Sequence, residues 1–288
     1  MKLVRHGAPG KERPAAIDAN GRLRDLGGLI GDIDNEALGS EAWKRVCQLP
    51  VNELNSLPDL GAASEARLGP CVGGVGKVVC MGLNERNHAL EIKAEEGRKP
   101  NVFLKPTSAI NGPGDPVMYP KVAQKVDWEN ELAIVIGERC KHVQADAALD
   151  GIAGFCIMND MSDRHWQTEP ATGKMSRLVL GKAFDTFAPL GPWLVTPDEI
   201  PDPDALSIKL WVNDKLRQDF SSADYIYNVR ETVAFCSQFF TLYPGDVIAM
   251  GSGPGNAFTW NEYLKVGDVV RGTIEGLGTQ EFRIVEEH

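Results

Sequence analysis

Three acidic side chains that border apolar runs are the residues of this sequence best suited to chemistry. Glu129 and Glu131 lie two positions apart, just before the apolar run 132–136, and on a strand both would project from one face. Asp160 follows a second apolar run, 152–158. Adjacent carboxylates repel each other and lose hydration unless a cation, a basic partner or bulk water accommodates them. The pair alone is typical of a solvated strand edge, whereas three converging carboxylates suit a catalytic Mg²⁺ with open coordination positions.

Four other polar side chains gain significance only from their spacing. His88 and Glu91 are three residues apart, so a helix would bring them together and let the carboxylate orient the imidazole and raise its basicity. Arg164 carries a planar guanidinium suited to a carboxylate, although an ion pair with a nearby acidic residue is the ordinary alternative. Lys182, taken alone, is typical of a surface lysine. Any functional interpretation therefore depends on the pattern as a whole.

The bulk composition excludes several classes of protein. With 288 residues, 43% of them hydrophobic, the chain can bury a large core. A net charge of −10 and a pI near 5.1 argue against nucleic-acid binding, which needs a concentrated basic surface. No apolar run reaches the roughly 20 residues that span a bilayer, and the N-terminus has no apolar signal core. The six cysteines lack CxxC spacing, so we expect reduced core thiols in a cytoplasmic protein without a membrane partner.

The elements that must position these residues divide into two predicted units. Residues 1–75 are expected to form a small N-terminal α+β domain, with a strand at its start, a hairpin about Asn20-Gly21 and a short helix capped by Ser40. Residues 76–288 are expected to form the main domain. Turn-rich sequence between short apolar runs indicates that this domain is α+β and strand-rich, with a curved mixed sheet and helices outside it.

Individual elements of the main domain follow from the same patterns. Helices are predicted at 87–96 and at 229–240, the second capped by Asn228. No clear helix is predicted after the glycine-rich segment 251–255, so a nucleotide site is not expected. Strands are predicted at 78–81, 132–136, 152–158, 208–212, 247–250 and 269–274.

Seven linked motifs place the candidate residues in a longer pattern. They are KVVCMGLN (77–84) followed by His88 and Glu91, FLKP (103–106), GPGD (112–115), DWENEL (127–132), NDMS (159–162) followed by Arg164 and Gln167, GKAFD (181–185) and PGDV (244–247). In order and spacing they resemble the fumarylacetoacetate hydrolase family over residues 77–285. Residues 1–75 are similar to the small N-terminal domain of bacterial members of that family.

The resemblance implies a fold, an ion and roles for particular residues. The implied fold is a mixed β-sheet rolled into a barrel, usually in a homodimer, and the implied ion is Mg²⁺ or Mn²⁺. The implied metal ligands are Glu129, Glu131 and Asp160. The implied catalytic residues are His88, Glu91 and Lys182, and the implied substrate-binding residues are Arg164, Gln167 and Ser252.

The implied activity is hydrolysis of a carbon–carbon bond in a small 2,4-dioxo acid, either an acylpyruvate or a 2,4-diketo-3-deoxy sugar acid. His88, oriented by Glu91, would deprotonate a water that attacks carbon 4. Lys182 would offset the negative charge that develops. Segment 84–98 would close over the site as a lid, with an always-packed helix as the alternative.

Three departures from the family pattern bear on the substrate. Glu85 stands where the family commonly has Tyr, Met81 stands where animal members have an extra Asp ligand, and Ser252 lies in a turn that lacks the usual threonines. Two alternatives stay open. The same site would serve an oxaloacetate decarboxylase or a keto acid tautomerase or lyase, and the fold alone would also allow a catalytically silent metal-binding protein.

Overall fold

A computed structural model describes residues 1–94, 99–168 and 176–287. Within these ranges no helix combines the length and the apolar character needed to cross a membrane. The helices are α1 (Glu41–Cys47), α2 (Val51–Ser56), α3 (Arg86–Glu91), α4 (Arg164–Gln167), α5 (Leu178–Lys182), α6 (Val229–Phe239) and α7 (Ala257–Trp260).

The strands outnumber the helices. They are β1 (Lys2–His6), β2 (Arg13–Ile17), β3 (Arg22–Asp25), β4 (Asp59–Ala62), β5 (Val78–Gly82), β6 (Asn101–Lys105), β7 (Ile110–Asn111), β8 (Val117–Tyr119), β9 (Val126–Asp127), β10 (Asn130–Ile136), β11 (Ile152–Asn159), β12 (Ser162–Asp163), β13 (Ala188–Pro189), β14 (Leu194–Val195), β15 (Ser207–Val212), β16 (Lys215–Ser221), β17 (Val247–Ala249), β18 (Val269–Ile274) and β19 (Gly278–Glu286). The strand-rich α+β prediction is therefore confirmed, and each of the six strands predicted in the main domain is present.

Two sheets organise the molecule. The larger has ten strands in the order β4-β3-β2-β1-β14-β11-β10-β17-β5-β6, and the smaller has five in the order β16-β15-β18-β19-β8. Both are mixed, because β5 runs parallel to β17 and β8 runs parallel to β19 while their other pairs are antiparallel. Each described sheet has two unpaired ends, β4 and β6 in the larger one. The barrel that the family resemblance implies is therefore not confirmed.

The N-terminal strands continue the large sheet. β1 pairs with β14, with Lys2 opposite Val195. Leu3, Trp43 and Ala133 belong to one hydrophobic cluster, so residues 1–75 share a core as well as a sheet with the later part of the chain. The division into domains at residue 75 stays a prediction.

The central strands β10 and β11 are buried along their whole length. Alternate residues of β10 enter different clusters, Ala133 one and Leu132 the other, because both faces of the sheet are covered. Such strands carry continuous apolar runs rather than alternation. This burial brings the polar residues at the strand ends into the interior.

The helices show where local sequence signals were sufficient. Ser40 caps α1 and Asn228 caps α6, the latter in a capping box with Glu231, as predicted. The helix predicted at 87–96 is shorter: α3 ends at Glu91, and Lys93 has a positive φ of 54° that is incompatible with continuing the helix. Residues 95–96 of that prediction, and residues 95–98 of the expected lid, lie outside the described residues.

One prediction about the helices was wrong. A short helix, α7, does follow the glycine-rich segment 251–255. Its first backbone N–H, that of Ala257, donates to Asp127 Oδ1 at 2.7 Å, a tertiary contact that local sequence does not reveal.

Candidate active site

Three carboxylates meet where the central strands end. Glu129 lies in the short break between β9 and β10, and Glu131 lies at the start of β10. Asp160 follows β11, and its N–H donates to the Glu129 carbonyl at 2.8 Å. One oxygen of each carboxylate lies within 4.8 Å of the others, and all three side chains are buried. The three acids therefore converge as expected. Glu129 and Glu131 do not lie on one continuous strand, however, because Glu129 falls in the break between β9 and β10.

Three cationic side chains surround the carboxylates. Lys182 Nζ donates to Glu129 Oε2 and, at 2.6 Å, to Asp160 Oδ2. Arg164 Nη2 donates to Glu129 Oε1 at 2.6 Å. Lys105 Nζ, fully buried at the end of β6, donates to Asp160 Oδ1 at 2.7 Å. Lys105 was not predicted as a site residue, because its only signal in the sequence is its place in the FLKP motif.

These contacts shift the pKa values of the two glutamates in opposite directions. Burial would raise the pKa of Glu129, but the charges of Lys182 and Arg164 outweigh burial and lower that pKa to about 2. Glu131 accepts from the Gly251 N–H at 2.8 Å, but among the described residues no cationic side chain forms an ion pair with it. Burial and the nearby charges of Asp160 and Glu129 therefore raise its pKa well above the ordinary value. Burial lowers the pKa of Lys105 despite the opposing charge of Asp160. Without a bound cation, Glu131 is therefore the carboxylate of the cluster whose negative charge is least offset by nearby positive charge.

The buried residues behind the cluster fix its geometry. Asp127 accepts from Arg164 Nε at 2.6 Å through one oxygen and from the Trp128 and Ala257 N–H groups through the other. Asn256 Nδ2 donates to Glu129 Oε1 at 3.1 Å. Asp127 and Asn256 were not singled out from sequence, because their partners are distant in the chain.

The predicted dyad is formed on α3. His88 Nδ1 lies 3.1 Å from Glu91 Oε2. Glu85 caps this helix, accepting from the His88 N–H at 2.5 Å, and it is fully buried. Burial raises the pKa of the Glu85 carboxyl despite the hydrogen bonds that it accepts. The residue that replaces the family's tyrosine thus supports the helix that carries His88.

The three predicted substrate-binding residues differ in position. Arg164 and Ser252 line the same cavity as the carboxylates. Gln167 lies behind Arg164, where its Oε1 accepts from Arg164 Nη1 at 3.1 Å, and it is fully buried. Gln167 Nε2 has no hydrogen-bond partner among the described residues.

The cavity has a volume of about 390 Å³ and a mixed lining. Its polar part contains His88, the three carboxylates, Arg164 and Lys182. Its apolar part includes Ile92, Phe103, Leu178 and Phe258. Such a cavity, in which a group of charged side chains faces apolar walls, suits a small organic molecule that carries charge.

The carboxylate set fits a hard divalent cation. The three residues offer oxygen donors only, the ligand type that Mg²⁺ and Mn²⁺ prefer. Two lysines and an arginine now supply the positive charge that buried carboxylates require. A mixed sheet that carries this centre in a small cavity defines a metal-dependent enzyme acting on a small organic acid.

Comparison with known proteins identifies the family. Residues 77–285 match the fumarylacetoacetate (FAA) hydrolase C-terminal family, and the chain belongs to it. The 2,4-didehydro-3-deoxy-L-rhamnonate hydrolase of a Sphingomonas species is 41% identical over 289 residues, covering 99% of this chain and 96% of the relative.

Solved structures agree over the whole chain. Maleylpyruvate hydrolase from Sphingobium sp., in complex with manganese(II) ion and pyruvate, gives a TM-score of 0.83 at 29% identity with full coverage of both chains. Fumarylacetoacetate hydrolase from Exiguobacterium antarcticum gives the same TM-score, identity and coverage.

Proposed function

We propose that this protein is a divalent-metal-dependent hydrolase that cleaves the bond between carbons 3 and 4 of a small 2,4-dioxo acid and releases pyruvate or a related 2-oxo acid. The observation that carries the proposal is the meeting of three buried carboxylates with the His88–Glu91 pair in one cavity. The rhamnonate-derived substrate in the name of the Sphingomonas relative belongs to this chemical class, and the maleylpyruvate hydrolase structure contains pyruvate.

Glu129, Glu131 and Asp160 would hold the metal, Mg²⁺ or Mn²⁺. When bound, such an ion supplies Lewis-acid polarisation of the 2-oxo acid group. Lys105 keeps Asp160 in place from behind, and Asn256 does the same for Glu129. Because these supports are buried, the ligand geometry is set before substrate arrives.

His88 would act as the general base. Its Nδ1 faces Glu91, so the neutral imidazole carries its proton on Nδ1 and leaves Nε2 free to accept a proton from water. That water adds to carbon 4, the bond to carbon 3 breaks, and carbon 3 takes up a proton to complete the 2-oxo acid. The acyl part leaves as a carboxylic acid, so one water is consumed in each turnover.

Lys182 and Arg164 would stabilise negative charge. Both line the cavity and are held by Glu129, which fixes their charged ends. Lys182 would face the oxyanion formed at carbon 4, and Arg164 would hold the substrate carboxylate, with Gln167 orienting the guanidinium. Ser252 would contribute a hydroxyl contact at the cavity wall.

The test is release of pyruvate from acetylpyruvate with Mg²⁺ or with EDTA. We expect turnover only with the ion, and we expect Glu131→Gln to abolish it while the exposed Glu138→Gln, a matched charge change outside the site, leaves it intact. Full activity of Glu131→Gln would remove that residue from the ligand set. No turnover of any 2,4-dioxo acid would overturn the proposal in favour of a silent metal-binding protein.

Decarboxylation of oxaloacetate is the second candidate, since the same ion and lysine would serve it. The His88–Glu91 pair favours hydrolysis, because decarboxylation needs no activated water. His88→Ala should therefore cripple hydrolysis and affect decarboxylation less. Equal losses in both reactions would contradict the role given to His88.

We also propose that the enzyme is a cytoplasmic homodimer of chains with a small domain at 1–75. Free cysteines, five of them buried, support a reducing compartment. The unpaired edge of β6 with exposed Leu104, close to exposed Phe239 of α6, supports pairing of two copies. Light scattering that gives a single-chain mass would contradict the dimer.

A further inference from the structure

An aromatic ring links the two reactive ends of the cavity. The Phe258 ring lies 6.0 Å from the His88 ring, centroid to centroid, and 5.1 Å from the guanidinium carbon of Arg164. All three residues line the cavity. Phe258 thus lies beside both the proposed base and the proposed carboxylate-binding group.

The short helix that carries this ring is anchored to the carboxylate cluster. Asp127 accepts from the Ala257 N–H at 2.7 Å, and Asn256 donates to Glu129 at 3.1 Å. These contacts tie the two residues before Phe258 to the metal-binding segment. The same Asp127 also holds Arg164. The backbone that carries the ring is therefore anchored by buried hydrogen bonds, and the ring forms one wall of the cavity.

The Phe258 ring would restrict the substrate on the side of carbon 4. Water activated by His88 has to reach that carbon, so the group attached to carbon 4 lies beside His88 and against the Phe258 ring. Ile92 and Leu178 are apolar residues elsewhere in the lining. A well-packed apolar wall discriminates by size, since one methylene that a pocket cannot accommodate changes kcat/KM by about 10- to 200-fold.

We infer that Phe258 is a specificity-determining residue that limits the enzyme to 2,4-dioxo acids with a short acyl group. The inference rests on the proposed hydrolase function and adds the size of the substrate to it. Phe258 has no part in proton transfer. Its effect is on which acyl groups fit between its ring and the base.

The test compares kcat/KM for acetyl-, propionyl-, butyryl- and hexanoylpyruvate with Mg²⁺. We expect the wild type to prefer the short substrates. Phe258→Ala should lower the ratio of acetyl- to hexanoylpyruvate kcat/KM by about tenfold or more, Phe258→Leu should lower it less, and Phe258→Trp should raise it. A purely structural loss would reduce all four values together and leave the ratio unchanged.

Trp260→Ala is the matched control, because Trp260 lies on the same short helix, is half exposed and is absent from the cavity lining. The ratio of acetyl- to hexanoylpyruvate kcat/KM in Trp260→Ala should equal that of the wild type. An unchanged ratio in Phe258→Leu, which avoids any folding defect of the alanine variant, would overturn the inference, as would an equal shift in Trp260→Ala. Wild-type turnover of none of the four substrates would overturn this inference, whereas the proposed function would fall only if 2,4-diketo-3-deoxy sugar acids were not turned over either.

Discussion

At the scale of single residues, the centre depends on charge compensation in the interior. Four buried acids, including Asp127, face two buried lysines and the partly buried Arg164 across the cluster. Removing one member of a buried ion pair leaves its partner uncompensated, which is far more costly than losing a surface pair. The cations therefore stabilise the fold whenever the metal is absent.

The variant Lys105→Met tests whether the cations stabilise the metal-free protein. In EDTA we expect a loss of about 3–5 kcal/mol in the free energy of unfolding, because Asp160 loses a buried partner. Added Mn²⁺ should restore more stability to this variant than to the wild type, since the ion replaces the missing positive charge. Thermal melting with and without Mn²⁺ measures both effects. A variant that melts like the wild type in EDTA would contradict the account.

The thiols provide a second residue-scale prediction. Burial raises the pKa of Cys47 to about 11 and that of Cys236 to about 12. Because a raised pKa keeps the thiol protonated below that value, these groups should react slowly with a disulfide reagent at pH 8 and faster only as the pH approaches the raised pKa. Urea should expose all six cysteines to rapid reaction. Fast labelling of Cys47 or Cys236 in the native protein would contradict the assigned burial.

The sequence predicted the three acidic residues and the His88–Glu91 pair, but it did not predict some of the residues that hydrogen-bond to the acids and hold them in place. Glu129, Glu131 and Asp160 border apolar runs, which is a local signal. Lys105 and Asn256 act on partners that are 55 and 127 residues away, respectively, and no spacing rule reports such contacts. Phe258 carries no chemical signal at all. Its role follows only from the rings and charges around it.

At the scale of elements, α3 shows how a cap supports a site. Glu85 accepts from the His88 N–H and so fixes the first turn that carries the dyad. The capping box of α6 was visible in sequence because both of its partners are local. The C-terminal end of α3 was not visible in sequence, since it depends on the left-handed conformation of Lys93. The presence of α7 was not visible either, since it depends on a hydrogen bond to the distant Asp127.

Glu85 variants test the cap. Glu85→Ala should lower kcat/KM by between about tenfold and a hundredfold, because a small displacement of the base has a large effect on rate. Glu85→Gln is the matched control. It keeps an acceptor oxygen without the charge, and burial already raises the pKa of this carboxyl, so its kcat/KM should stay near the wild-type value. Equal losses in both variants would show that charge, rather than capping, matters.

At the scale of the whole molecule, the first 75 residues are integrated with the rest. β1 continues the large sheet through β14, and Leu3 packs in the cluster that includes Ala133 of β10. A domain boundary was predicted at residue 75. Strand pairing between distant segments, which sequence periodicity does not report, joins the two sides.

Leu3→Ala should therefore destabilise the protein as one unit. Loss of this fully buried side chain should cost about 2–5 kcal/mol and move a single cooperative transition to lower temperature. Leu29→Ala, at an exposed leucine in the same part of the chain, should change stability by less than about 0.5 kcal/mol. Two separate transitions in the calorimetric trace of Leu3→Ala would indicate an independent N-terminal domain.

The claim on which the account depends is that Glu129, Glu131 and Asp160 bind one divalent cation. Calorimetric titration of the metal-free protein with Mn²⁺ tests it most directly, with Glu131→Gln and Glu138→Gln measured alongside. We predict one ion per chain for the wild type and for Glu138→Gln, and no measurable binding for Glu131→Gln. Unchanged binding in Glu131→Gln, or none in the wild type, would contradict the account.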